Sequence, residues 1–88
     1  MRILIIEDDP HGRQSVIDAV EDAGFSALGT PDGATGVERF REGGFDAVLT
    51  DLVLPDMDGL EVLDRIRRID DAIPVVIMTA YGSVPWWA

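Results

Sequence analysis

The 88-residue chain has no cysteine and no lysine, one histidine, and seven basic residues, all arginine, against 17 acids. Without cysteine there can be no disulfide, thiolate metal site or thiol nucleophile; this suits a reducing compartment, and the cytoplasm is the expected location. His11 cannot build a histidine metal site alone, and beside an acidic loop and a helix start it reads as a solvated side chain. No apolar run is long enough to cross a bilayer, and the acids closing "MRILIIEDDP" do not suit a signal peptide, so no membrane role is expected. The net charge of −10 repels phosphate backbones, which argues against direct nucleic-acid binding. A divalent cation, a basic partner or a solvated acidic surface are the roles left open to it. A chain of this length buries only about 60–65% of the surface it exposes when unfolded, so its core is thin and every element counts.

The apolar residues that are present fall into two alternating patterns. Ile3–Ile6, Ala47–Leu49 and Val75–Met78 are continuous apolar runs rich in β-branched residues, the signature of strands buried on both faces, and Phe25–Gly29 is a weaker strand. Between them lie helical stripes: Val16, Ile17, Val20 and Ala23 before Gly24; Ala34, Val37 and Phe40 before Gly43-Gly44; and Leu60, Val62, Leu63, Ile66 and Ile69. The alternation β-α-β-α-β-α-β with short connections predicts an α/β fold, a flavodoxin-like doubly wound parallel sheet of strand order 2-1-3-4. Right-handed crossovers then put the first helix on one face and the other two on the opposite face. One face is covered by a single helix, and the strand at Val75–Met78 is expected to have no neighbour beyond it.

In such sheets the functional cleft lies at the carboxyl ends of the strands where the order reverses, here between the first and third strands. Glu7, Asp8 and Asp9 follow one of these strands and Asp51 follows the other. Carboxylates from separate parts of the chain therefore converge, and a hard cation such as Mg²⁺ would neutralise them. Solvated turn residues are the competing explanation.

With these residues in view, the chain resembles the receiver domain of two-component response regulators. The pieces that carry the resemblance are "ILIIEDDP", "DAVLTDLVLPDMDGLEVL" and "PVVIMTAYG", in that order and on expected strand ends. The resemblance implies that Asp51 accepts a phosphoryl group from a histidine kinase or phosphotransfer protein. It also implies that Asp8, Asp51 and the backbone carbonyl of Val53 ligate Mg²⁺, that Glu7 acts on the metal through water, and that the Thr79 hydroxyl is a switch. The protein would not be an enzyme beyond catalysing its own phosphorylation. Asp58 with Glu61 reads as a helix cap, Pro55 and Gly59 as loop-shaping residues, and Asp9 as peripheral.

The resemblance covers residues 1–83 and leaves 84–88, which include Trp86 and Trp87, as an atypical tail. The family's fourth helix, its fifth strand with a phosphoryl-contacting lysine, and its last helix have no counterpart, so phosphorylation is expected to be impaired. The undercovered sheet face and unpaired fourth strand are expected to assemble a homodimer, with the tryptophans either covering apolar surface or forming a mere appendage. Two other functions compete. One is a receiver-like interaction or oligomerisation module without signalling. The other is a fragment of a haloacid-dehalogenase-type phosphatase, in which Asp56 of "DMDGL" would be the nucleophile; Pro55 and the intervening "LVLP" fit that motif poorly.

Overall fold

The structure, a computed structural model, describes residues 1–79 and the backbone of residues 82–85. Its elements are β1 (Arg2–Ile6), α1 (Pro10–Asp22), β2 (Ser26–Thr30), α2 (Gly33–Arg41), β3 (Ala47–Asp51), α3 (Gly59–Ile69), β4 (Val75–Thr79) and β5 (Gly82–Pro85). They form one sheet of order β2-β1-β3-β4-β5, in which the first four strands are parallel. The expected order 2-1-3-4 is therefore present.

The expectation that β4 would be a bare edge is not met. β5 pairs antiparallel with β4, Thr79 opposite Gly82 and Val76 opposite Pro85. Only two positions separate the strands, far fewer than a parallel crossover needs, so consecutive strands this close pair as a hairpin. The boundary expected after residue 83 falls inside β5. Trp86 and Trp87 lie outside the described residues.

Three aspartates start the helices. Asp9 accepts from the Gly12 N–H at 2.7 Å, Asp32 from the Thr35 N–H at 2.7 Å, and Asp58 from the Glu61 N–H at 2.8 Å. Each satisfies a donor that the first helical turn leaves orphaned and contributes about 0.5–2 kcal/mol. Pro10 adds a preset φ at the start of α1. At the other ends the chain turns through glycines of positive φ, Gly24 after α1 and Gly43 and Gly44 after α2.

The core lies between the sheet and the α2–α3 layer. Leu4, Ile6, Val48 and Val75 project from the sheet onto Val37 and Phe40 of α2 and Val62 and Ile66 of α3, with Leu54 and Ile73 closing the ends. The helical stripes are narrower than their sequence pattern: Ala34 and Leu60 are exposed, Leu60 at 58%, and Ile69 sits at the margin. Leucine and isoleucine on a helix flank remain in water because the sheet beneath reaches only the residues of the central stripe.

The opposite face is lopsided. α1 packs on β1 and β2 alone, and none of its residues is fully buried. Gly29 lets it approach, since a Cβ there would lie 2.8 Å from Ile17 Cδ1. Across the row Gly29, Ile5, Leu49, Val76, Ile5 is fully buried beneath α1, whereas Leu49 and Val76 are only half-buried. Among the described residues no helix covers β3 and β4 on this side. Replacing Ile66, fully buried in α3, with Ala is expected to lower stability by about 2–5 kcal/mol. Leu60→Ala on the same helix should change it by no more than about 0.5 kcal/mol in urea denaturation.

Candidate functional site

Parallel pairing in register brings the acids together. Ile6 of β1 stands beside Thr50 of β3, so Glu7 and Asp8 leave their strand next to Asp51. One carboxylate oxygen from each of Glu7, Asp8 and Asp51 lies within 4.8 Å of the others. Glu7 and Asp51 are half-buried and Asp8 is exposed, so the cluster opens to solvent on one side.

Glu7 is held at three points. Its N–H donates to the Thr30 carbonyl at 3.0 Å, its own carbonyl accepts from Arg13 Nη1 at 2.9 Å, and its Oε1 accepts from the Asp9 N–H at 3.1 Å. Burial raises its pKa above the ordinary glutamate value, and the charge of Asp51 and hydrogen bonds with the Asp8 and Asp51 carboxyls add to the rise; the Asp9 N–H opposes it. Partial desolvation of the carboxylate, reinforced by the like charge nearby, is the physical origin.

Beyond Asp51 the chain makes a tight loop. The Leu52 N–H donates to the Met78 carbonyl at 2.9 Å, prolonging the β3–β4 pairing, and the Gly59 N–H donates back to the Leu52 carbonyl at 2.6 Å. Val53 bridges to Asp58 across the loop. Gly59 must be glycine here, because a Cβ would come within 2.6 Å of the Asp51 carbonyl oxygen and 3.0 Å of Leu52 Cα. The side chain of Val53 is 72% exposed. Thr79 ends β4 one residue past Met78, the strand partner of Asp51. The fold thus brings Glu7, Asp8 and Asp51 into one cluster, with Val53 in the adjoining loop and Thr79 on the adjoining strand. His11 is exposed in the first turn of α1.

The "Response regulator receiver domain" family profile matches residues 3–86. The chain belongs to this family. The receiver domain is 37% identical over 83 residues to the response regulator receiver protein CpdR of Brucella abortus, covering 94% of this chain and 69% of that protein. It is 39% identical over 83 residues to the uncharacterized transcriptional regulatory protein YkoG of Bacillus subtilis, covering 94% of this chain but only 36% of YkoG. Its fold superposes on the response regulator TrrA of Thermotoga maritima, solved with Mg(2+)-BeF, with a TM-score of 0.87 at 29% identity, covering 91% of this chain and 70% of TrrA. TrrA is also known in complex with the histidine kinase ThkA, where the likeness has a TM-score of 0.85 at 28% identity, over 92% of this chain and 70% of that one.

This membership overturns the phosphatase alternative, and the geometry agrees. Asp56, the nucleophile of that alternative, lies outside the acidic cluster, and its two carboxylate oxygens accept from the Gly33 and Ala34 N–H groups. The Asp58 cap was legible in the sequence. The caps at Asp9 and Asp32 carry a local signal as well, in the Asp-Pro and Asp-Gly pairs that open their helical stripes. In this receiver domain the pocket end of β5 is Gly82, opposite Thr79, and no lysine exists anywhere in the chain.

The raised pKa of Glu7 has a definite sign. Folding is favoured while Glu7 is protonated and is progressively penalised as pH rises from the unfolded pKa through the higher folded one. In EDTA at pH 8, Glu7→Gln should therefore melt at a higher temperature than the wild type. That advantage should shrink toward pH 4, as thermal melts across this range will show.

Proposed function

We propose that this receiver domain is a phosphoacceptor of two-component signalling, with Asp51 as the site of phosphorylation. The observation that carries the proposal is the convergence of the Glu7, Asp8 and Asp51 carboxylates to within 4.8 Å at the open end of the sheet. An all-carboxylate donor set of this kind suits a hard cation such as Mg²⁺. Asp8, Asp51 and the Val53 carbonyl would hold the ion, and Glu7 would act through a bound water. When bound, Mg²⁺ supplies positive charge to the equatorial oxygens of a transferring phosphoryl group.

Asp51 supplies the nucleophile. A carboxylate oxygen attacks phosphorus, the P–N bond of a partner's phosphohistidine breaks, and the imidazole leaves with its electron pair and takes up a proton. The product is an acyl phosphate on Asp51. The Thr79 hydroxyl, at the end of the neighbouring strand, then donates to a phosphoryl oxygen and reports the modification. The donor is a histidine kinase or phosphotransfer protein, and the TrrA–ThkA pair supports that partner class. Apart from forming its own acyl phosphate the domain has no enzymatic turnover, and it works in the cytoplasm.

Without a lysine, the transferring group lacks one fixed cation. Arg41, Arg65 and Arg68 pair with acids on their own helices, Arg39 pairs with Glu42 just past the end of α2, and Arg13 is engaged at the Glu7 carbonyl. Loss of one such stabilising contact typically lowers rates about 10²- to 10³-fold, so phosphorylation is slow. The half-buried apolar face of Leu49, Val76 and Met78 also favours a homodimer in which a second copy covers it. A purely interacting, non-signalling module rests on this same face.

Titration with beryllofluoride and Mg²⁺, followed by NMR, tests the phosphoacceptor role. Metal-dependent shifts at Thr79 that vanish in Asp51→Asn are expected; silence in the wild type would favour the interaction module. Light scattering of the 88-residue chain at micromolar concentration should give twice the chain mass, and Val76→Asp should reduce it to the monomer value.

A further inference from the structure

The loop after β3 is fastened at its far tip to a helix that plays no part in the acidic cluster. Asp56 Oδ1 accepts from the Gly33 N–H at 2.9 Å, and its Oδ2 accepts from the Ala34 N–H at 2.8 Å, across sequence separations of 23 and 22 residues. Both donors belong to the first turn of α2, where N–H groups lack helical partners and the helix dipole favours negative charge. Asp32 occupies the ordinary capping place of the same helix through Thr35, so the first turn of α2 is held by two carboxylates, one local and one from the loop. Met57, next to Asp56, packs on the same glycine: a Cβ on Gly33 would lie 2.6 Å from Met57 Cγ and 2.7 Å from its Sδ. The base of the loop is closed by the Gly59–Leu52 hydrogen bond and the Val53–Asp58 bridge.

Val53 therefore sits in a loop that is clamped at both ends. We propose that Asp56 is a positioning residue that fixes the Asp51–Gly59 loop for metal binding by tying it to the N-terminus of α2, so that occupancy of the pocket and the first turn of α2 are coupled. The metal-binding half of this proposal rests on the Mg²⁺ reading of Glu7, Asp8 and Asp51 given above; the clamp itself does not. Although burial opposes its ionisation, the Gly33 and Ala34 N–H groups and the nearby Arg65 charge hold the Asp56 pKa below the usual carboxylate value, in keeping with an anion gripped by donors. The clamp is thus intact throughout the neutral range and is lost only as pH falls through that lowered folded value.

Asp32 supplies the control, because it caps the same helix without belonging to the loop. Wild type, Asp56→Asn and Asp32→Asn are titrated with Mg²⁺ alone and followed by amide NMR. Asp56→Asn should weaken Mg²⁺ binding about tenfold, the scale on which supporting partners of metal sites act, while Asp32→Asn stays within about twofold of wild type. In the wild type, Mg²⁺ should also move the Gly33 and Ala34 amide signals, by reciprocity of the coupling, and in Asp56→Asn these shifts should disappear. Equal affinity in wild type and Asp56→Asn, or an equal loss in Asp32→Asn, overturns the proposal. If the wild type binds no Mg²⁺, the metal reading fails and the coupling to occupancy fails with it. The clamp is then judged in metal-free protein by hydrogen exchange at the Gly59 N–H. Faster exchange in Asp56→Asn than in Asp32→Asn upholds it, and unchanged exchange overturns it.

Discussion

The alignment of β1 with β3 is the constraint on which the rest of the molecule depends. Because Ile6 lies beside Thr50, three carboxylates from two distant stretches of chain meet at one end of the sheet. Partial burial of Glu7 and the repulsion of like charges at that separation both disfavour its ionised form, which is why its pKa is raised. The sheet must hold them there against that force. It does so with strands whose central residues Leu4, Ile5, Ile6, Val48 and Thr50 are completely buried, so that register slippage would expose apolar side chains.

The two faces of the sheet contribute unequally to that rigidity. The α2–α3 layer carries the contiguous core, including the fully buried Val62 and Ile66. It also anchors the pocket loop from both sides, since α3 begins at Gly59, the close of the loop, and α2 receives Asp56 from its tip. On the other side α1 shields β1 and β2 only, leaving Leu49 and Val76 half-buried. The acidic cluster and its loop are therefore supported by the well-packed layer, and the thinly covered side is the opposite one.

β5 shows how topology limits chemistry. An antiparallel hairpin satisfies the ladder donors and acceptors of β4 as well as a parallel strand would, yet it runs the opposite way. Its first residue, not its last, stands at the pocket end, and that residue is Gly82. Pairing the edge and placing a charged side chain at the pocket end are separate matters, and β5 achieves only the first.

Much of this was legible in the residues themselves. Strand runs buried on both faces, three amphipathic stripes and short connections led to the parallel α/β sheet and its order, because periodicity and crossover handedness are local or near-universal constraints. The same constraints put Glu7, Asp8 and Asp51 on adjacent strand ends, and the Asp58–Glu61 spacing named a cap. Tertiary structure decided what depends on long-range contact. It decided that Leu60 stays in water while Val62 and Ile66 are buried, that Gly82–Pro85 pairs back on β4 as a hairpin, and that Asp56 reaches a helix 22 residues earlier in the chain. No periodicity encodes such a contact, because a carboxylate finds unpaired N–H groups only after the sheet has brought the loop and the helix end together.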